Sequence, residues 1–265
     1  MKPFGLKKIK LSLPTFWAMS DERRSALLLL GLFLNDANWL MKLLVKAGRS
    51  LPPEPVPRSN TPEEDANYSL VMLIMTTLVG KIWEGWDLIS GKKSKGKKLR
   101  STLDGLVMPS HVKSLEAKLK QELSGDLFVR IRCNVSFHYS EKLIDLSKLK
   151  SKITEQDSFF YGTGNIGDTL FPLSTLAGLE PVLDPKPNVD PETALGEVID
   201  EIIGVVGLYC GFVSEVLTLL VQDEFGHFVS EGVTISDAPE FETEPMIHFF
   251  VHPPSNLEEI RNSLA

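Results

Sequence analysis

The fold is decided by residues 61–90, which read TPEEDANYSLVMLIMTTLVGKIWEGWDLIS. Thr61 lies three residues before Glu64, the spacing of a capping box, in which each side chain accepts a hydrogen bond from the other residue's backbone amide. Pro62 fits the first turn of a helix because its missing amide would have no partner there. From Leu70 onward the stretch is almost wholly apolar, which is typical of a helix buried on most sides. The sequence therefore predicts a long central helix of the core.

Further helices are predicted on both sides of this stretch from capping residues and from apolar residues that recur every three or four positions. These predicted helices cover about residues 20–47, 110–122, 126–139 and 191–221. Beyond the last of them, Met246–Val251 has the pattern of a short strand. The fold class predicted is therefore all-α, with minor β structure near the C-terminal end.

Charge divides the chain into two unequal halves. Residues 1–152 carry 26 Lys and Arg against 15 Asp and Glu, whereas residues 153–265 carry 2 against 20. We therefore expect a basic helical bundle over 1–152 and an acidic extension over 153–265, the two packing as one domain or as two. The extension is predicted to hold an irregular segment and one further long helix. The only two cysteines, Cys133 and Cys210, exclude a disulfide framework and a four-thiolate zinc site, and both are predicted to be buried thiols.

One segment of the acidic half is a candidate membrane span. Ile202–Val221 is interrupted only by Glu215 and three glycines, but acidic residues crowd both of its ends and no Lys or Arg flanks it. We therefore expect a helix buried in the protein and a cytoplasmic location, with no membrane partner. The alternative is a membrane-associated protein held by residues 202–221.

The basic half contains one dense cluster of positive charge between the central helix and the next one. Because like charges this close repel one another, the sequence predicts a solvated loop. Its side chains are candidate contacts for RNA phosphates. The cluster consists of Lys92, Lys93, Lys95, Lys97, Lys98 and Arg100.

The predicted helix over 126–139 gathers polar side chains near its C-terminal end. Arg130, Asn134 and His138 are spaced i, i+4 and i+8, which places them in one line on the helix surface. Arg132 lies at one margin of the apolar face, and His138 with Asn134 at the other. An Arg, an Asn and a His are thus predicted at a helix end that solvent can reach.

The segment over 131–139 resembles the signature of the HEPN superfamily, all-helical bacterial and archaeal proteins in which an Arg and a His, with four to six residues between them, end a late helix. Arg132 and His138 match that motif, and the resemblance covers about residues 20–147. Cys133 stands where members tend to carry a polar residue. The resemblance implies a metal-independent endoribonuclease, often the toxin of a toxin–antitoxin or anti-phage system, with the motif helices of two protomers meeting in a homodimer.

The resemblance also implies a role for each motif residue. His138 would transfer protons, since histidine changes charge near neutral pH. Arg132 would stabilise the charged phosphorane through bidentate hydrogen bonds, while Asn134 and Arg130 would orient the substrate. The partners expected are RNA, a second protomer and an antitoxin, with no DNA, no cofactor and no metal.

A structural interpretation of the same residues stays open. Arg132 would then pair with a neighbouring acid and His138 would bind a backbone carbonyl, leaving a non-catalytic scaffold or interaction protein. The acidic half bears on the choice, because a strongly negative segment over the helix end would repel RNA.

Overall fold

The computed structural model describes residues 4–9, 12–48, 61–92, 94–133, 160–161, 169–183, 191–226 and 230–235. This part of the chain is predominantly helical, so the predicted all-α character is confirmed. The eight helices of the described ranges are α1 (Leu13–Ala18), α2 (Asp21–Gly48), α3 (Pro62–Ile89), α4 (Lys97–Asp104), α5 (Ser110–Leu123), α6 (Asp126–Ile131), α7 (Pro172–Leu183) and α8 (Pro191–Phe225).

Two short antiparallel strand pairs accompany the helices. Strands β1 (Phe4–Ile9) and β4 (Ser230–Ile235) pair along their whole length, from Phe4 opposite Ile235 to Ile9 opposite Ser230. Strands β2 (Phe160–Tyr161) and β3 (Thr169–Leu170) form the second pair. The strand predicted at Met246–Val251 lies outside the described residues and stays a prediction.

The capping residues account for where the long helices begin and end. The Thr61 hydroxyl accepts a hydrogen bond from the Glu64 amide at 3.3 Å, as the capping-box spacing predicts. After the last turn of α3, Gly91 has a φ of 67°, a left-handed conformation that glycine adopts at little cost. The long helix of the acidic half ends at Phe225, one turn later than predicted. The helix predicted over 126–139 is described as α6, and its residues from 134 onward lie outside the described ranges.

The three longest helices, α2, α3 and α8, pack side by side. Helix α2 is antiparallel to α8, because Arg23 contacts Asp223 and Glu224 at one end while Gly48 approaches Ile199 at the other. Helix α3 is antiparallel to α2. The start of α2 and the C-terminal ends of α3 and α8 therefore meet at the same end of the bundle. We call it the basic end, because α4 with its lysines packs there against α2 and α3.

The hydrophobic core joins the two halves of the chain. Leu30 of α2, Leu78 of α3 and Phe212 of α8 are fully buried in one continuous cluster, to which α4, α5 and α6 also contribute. The Trp86 and Phe212 rings meet edge to face with their centroids 6.2 Å apart. The long helix of the acidic half is thus an integral wall of the bundle.

Gly85 allows α3 and α8 to approach closely. A Cβ atom at Gly85 would overlap the hydroxyl of Tyr209, a side chain that is 1% exposed. We expect Gly85→Ala to destabilise the protein by about 1–3 kcal/mol, because a buried ring has little freedom to move aside. The measurement is the thermal unfolding midpoint of the purified protein.

The matched control is Gly204→Ala, in the middle of α8, where a Cβ atom would meet nothing within 4 Å. That substitution should leave the midpoint unchanged or raise it, since alanine favours helix by about 0.5–1 kcal/mol over glycine. Equal effects at the two positions would contradict the close contact between α3 and α8.

Candidate functional site

Three helices of the described chain are long and apolar enough to cross a membrane: residues 21–48, 62–89 and 193–225. Each exceeds the roughly 20 residues that the hydrocarbon core of a bilayer requires. The predicted cytoplasmic location is therefore wrong, since these lengths and compositions indicate a membrane protein. The candidate span recognised in the sequence, 202–221, lies within the third of these helices.

The outer face of α2 is apolar. Leu28, Leu32, Trp39 and Leu43 are between 36% and 68% exposed, and at 100° per residue they fall within a band of about 60°. In the most apolar window of α2 only 17% of the residues are buried, against 56% in that of α3. Asn35 and Lys42 are also exposed on this side, but an apolar stripe of this length is unusual on a water-facing surface. It is suited to contact lipid.

Two carboxylates in the long helices, those of Asp36 and Glu215, each lie close to an ionisable side chain of a neighbouring helix. Lys81 Nζ of α3 lies 3.4 Å from Asp36 Oδ2 of α2. On α8, Glu215 Oε2 lies 3.6 Å from His111 Nε2 of α5. Ionisable groups within membrane-spanning helices characteristically pair with one another across helices. The Lys81 contact therefore compensates for the Asp36 carboxylate in an otherwise apolar stretch, while His111 brings a polar ring nitrogen close to the Glu215 carboxylate.

Arg132 directly follows α6 and lies against the last two turns of α3. Its guanidinium carbon is 4.5 Å from the centroid of the Trp83 ring, and its Nη2 is 3.6 Å from Asp87 Oδ2. A cation over an indole contributes about 0.5–2 kcal/mol. The Arg132 side chain is still 36% exposed, whereas that of Asp87 is 14% exposed. The structure thus contains the neighbouring acid that the structural interpretation of Arg132 predicts, and it leaves the Arg132 side chain partly open to solvent.

The other motif residues are described only in part. Arg130 Nε lies 3.0 Å from Asp126 Oδ2, one turn earlier on α6. Asn134 and His138 lie outside the described residues. The proposed proton-transfer group and its geometry relative to Arg132 therefore stay predictions.

The basic cluster does not form the solvated loop that the sequence predicts. Residues 94–96 form a 3-10 turn and residues 97–104 form α4, because Leu99 and Leu103, one helical turn apart, are buried in the core. Their burial outweighs the repulsion between the neighbouring charges. Of the remaining cluster members, Lys92 is exposed, Lys93 lies outside the described residues, and Lys95 is described in its backbone alone.

Arg100 is committed to ion pairs. It contacts Glu116 of α5 and lies 2.8 Å from Asp104 on its own helix. Burial alone would lower the pKa of Arg100, but its hydrogen bonds and attraction to Glu116 and Asp104 outweigh burial and raise it. Arg100 thus joins α4 to α5 instead of offering a free charge to RNA.

Lys97 and Lys98 line an open cavity of about 460 Å³ between α4 and the first turn of α2. They therefore face α2, while Arg132 contacts α3. The cavity is lined by Ser20, Glu22, Arg23, Lys97, Lys98, Ser101, Thr102 and Gly105.

Sequence reasoning missed Trp83 and Asp87 as neighbours of Arg132, and Asp36 and Lys81 as a pair. The available signal was that Asp36 and Lys81 each interrupt an apolar helix. Cys133, predicted to be buried, is exposed because it follows α6 at the surface, while Cys210 is half-buried in α8. No group of three or more His, Cys, Asp or Glu in the described ranges is arranged to hold a metal ion.

Comparison of the chain with protein-family models, with curated proteins and with solved structures finds no match.

Membrane insertion predicts that the full chain stays in the membrane pellet after extraction with alkaline carbonate, because the apolar faces of the long helices stay in the bilayer. Cys133 can report which side carries the basic end. In the Cys210→Ser protein, a membrane-impermeant maleimide should label Cys133 in inside-out vesicles and not in intact cells.

The matched control places a single cysteine at the opposite end of the bundle through Glu63→Cys, in a chain whose two natural cysteines are replaced by serine. Glu63 is exposed in the first turn of α3, and this protein should show the reverse labelling pattern. Release of the chain by carbonate would contradict membrane insertion.

Proposed function

We propose that this chain is a membrane-attached, HEPN-like endoribonuclease that cleaves RNA without a metal ion at a site containing Arg132 and His138. The proposal includes a homodimer through the motif helix and a role as the toxin of a toxin–antitoxin or anti-phage system, with an antitoxin as partner. The observation that carries it is the position of Arg132, whose side chain is partly exposed and whose guanidinium lies over the Trp83 ring at a helix end.

Such an arrangement suits phosphate recognition. A guanidinium offers two parallel N–H donors to phosphate oxygens, and an aromatic ring beneath it fixes its plane without using those donors. Asp87 lies 3.6 Å from one nitrogen, which is longer than an ordinary charge-assisted hydrogen bond. A phosphate oxygen can therefore compete for the same guanidinium edge.

The cleavage step uses only the RNA and side chains. His138 takes the proton from a ribose 2′-hydroxyl, whose oxygen then attacks the adjacent phosphorus. The bond from phosphorus to the 5′-oxygen breaks, and that oxygen leaves with a proton returned by a histidine. The products are a 2′,3′-cyclic phosphate and a 5′-hydroxyl, with Arg132 stabilising the pentacoordinate phosphorane and Arg130 and Asn134 orienting the RNA.

The charge distribution gives this site its side of the membrane. Lysines and arginines near the ends of membrane-spanning helices favour the cytoplasmic side. The basic end holds Lys92, Lys97 and Lys98 close to the ends of α2 and α3. This charge pattern supports an orientation in which Arg132 faces the compartment that contains RNA.

The test is incubation of the full chain, purified in detergent, with a single-stranded RNA in the presence of a chelator. We expect fragments that end in a cyclic phosphate. His138→Ala and Arg132→Ala should each lower the rate at least about 100-fold, since one general acid–base group contributes roughly 10²–10⁴-fold. His111→Ala, an exposed histidine on α5, is the matched control and should keep the activity.

Intact RNA after incubation with folded, dimeric protein would overturn the nuclease proposal. Equal activity of the wild-type and His138→Ala proteins would do the same.

A non-catalytic interaction protein is the second candidate function, and two observations favour it. Arg132 already has Asp87 and Trp83 as partners, and α7 of the acidic half packs against α6. On this interpretation Arg132→Ala lowers the unfolding midpoint or the association of the protein and changes no RNA. Growth arrest on expression of the wild type, absent with His138→Ala, would reject it.

A further inference from the structure

We propose that the cavity between α4 and the first turn of α2 binds the phosphate of an anionic phospholipid headgroup. The inference rests on the membrane attachment proposed above and is independent of RNA cleavage.

The walls supply both charges and neutral donors. Lys97 and Lys98 bring two ammonium groups from the first turn of α4, and the hydroxyls of Ser101 and Thr102 follow one turn later on the same helix. Ser20, the residue before α2, lines the opposite side. The Thr102 hydroxyl donates to the Lys98 carbonyl at 3.1 Å. The groups that can neutralise and hydrogen-bond a phosphate, whose oxygens only accept, are therefore the two ammonium groups and the hydroxyls of Ser20 and Ser101.

The two lysines are available for a ligand. Among the described residues, neither ammonium group lies within 4.0 Å of a carboxylate, and both side chains are exposed. Arg23, the third cation of the cavity, is by contrast held by Asp223 and Glu224 of α8. Arg23 therefore fixes the wall, while Lys97 and Lys98 remain free to bind an anion.

The cavity lies at the depth where a headgroup would be found. Helix α2 begins at Asp21, directly beside Ser20, and its apolar face starts within two turns. A phosphate in the cavity is therefore next to the point where α2 would enter the hydrocarbon region. A soluble phosphate compound can approach any part of the protein surface, whereas the phosphate of a lipid headgroup is confined to this depth of the membrane.

An apolar surface flanks the cavity on the N-terminal side. In α1, Leu13 and Trp17 are 68% and 66% exposed. Arg24 anchors this short helix, since its guanidinium lies 5.0 Å from the Trp17 ring centroid and donates to the Met19 carbonyl at 3.2 Å. An exposed Trp beside cationic residues is typical of a membrane–water interface. Leu13 and Trp17 would enter the lipid beside the bound headgroup.

The experiment titrates the full chain in a non-ionic detergent with short-chain phosphatidylglycerol and follows the thermal unfolding midpoint, which rises when a ligand binds the folded state. Short-chain phosphatidylcholine tests the need for net negative charge. Inorganic phosphate and glycerol phosphate test whether the anion alone suffices. We expect the midpoint to rise with phosphatidylglycerol alone.

Substitution assigns the effect to the cavity. Lys97→Gln/Lys98→Gln should weaken the apparent affinity for phosphatidylglycerol at least about tenfold. Lys113→Gln/Lys118→Gln is the matched control, since it removes the same charge from exposed positions of α5, and it should keep the affinity of the wild type.

Substitution of Glu22 should raise the affinity for phosphatidylglycerol, an effect that misfolding of the variant could not produce. Its carboxylate lines the cavity and repels an anion. Glu22→Gln should therefore bind phosphatidylglycerol several-fold more tightly than the wild type.

Three outcomes would overturn the proposal: no midpoint shift with any anion, equal loss of affinity in both lysine double variants, or an equal shift with inorganic phosphate. The last would assign the cavity to a soluble phosphate compound. RNA cleavage by the same preparation is measured separately, so that failure of headgroup binding and failure of the nuclease function are distinguishable.

Discussion

The packing of α2 against α8 is the contact on which the rest of the structure depends. It joins segments about 200 residues apart and buries Leu30 and Leu44 of α2 with Phe212 and Leu220 of α8 in the same core. Arg23, held by Asp223 and Glu224, fixes the register of the pair at the basic end. Because α8 forms one wall of the bundle, its acidic side chains lie at its ends and on its outer face. The basic end can then present Lys97 and Lys98 beside the start of α2.

The bundle is asymmetric around its circumference, and this constrains how it meets a membrane. Helix α2 turns Leu28, Leu32 and Trp39 outward, while α5 packs on α8 and turns lysines outward. The contact of His111 with Glu215 places α5 about 15 Å from the C-terminal end of α8, given a rise of 1.5 Å per residue. Charged side chains at that depth face water or other protein, not acyl chains. Helix α2 therefore offers the more apolar of the two sides, although Asp36 and Lys81 are partly exposed beside its apolar stripe, and the α5 side is suited to an aqueous space or a second subunit.

Local signals in the sequence predicted much of the fold. The capping box at Thr61, the glycine after α3 and the three-to-four-residue periodicity of α5 each act within one or two turns, and the helices begin and end where these signals indicate. The sequence offers a membrane span only at residues 202–221, where acidic flanks and the lack of a flanking Lys or Arg favour a buried helix instead. In α2 and α3 the apolar runs are interrupted by Asp36 and Lys81. These residues look like signs of a water-facing helix until their contact across the two helices is known. Helix α4 could not be predicted for a similar reason. The sequence alone does not tell whether burial of Leu99 and Leu103 outweighs the repulsion between the neighbouring lysines.

The position of Arg132 shows why a motif alone leaves two functions open. Its spacing from His138 can be read along the chain, but its ring and carboxylate neighbours come from α3, more than 40 residues earlier. The contact with Trp83 is compatible with a structural Arg132 and with a phosphate-binding Arg132. A guanidinium over a ring keeps its in-plane N–H groups available as hydrogen-bond donors. Asp87 favours the structural role, because a carboxylate close to the guanidinium must be displaced, or must share the guanidinium, when a phosphate binds. Any nuclease activity is therefore governed by competition between Asp87 and the RNA phosphate for one guanidinium. For the proposed nuclease site, we therefore expect Asp87→Asn to strengthen phosphate binding and to weaken the attachment of Arg132 to α3.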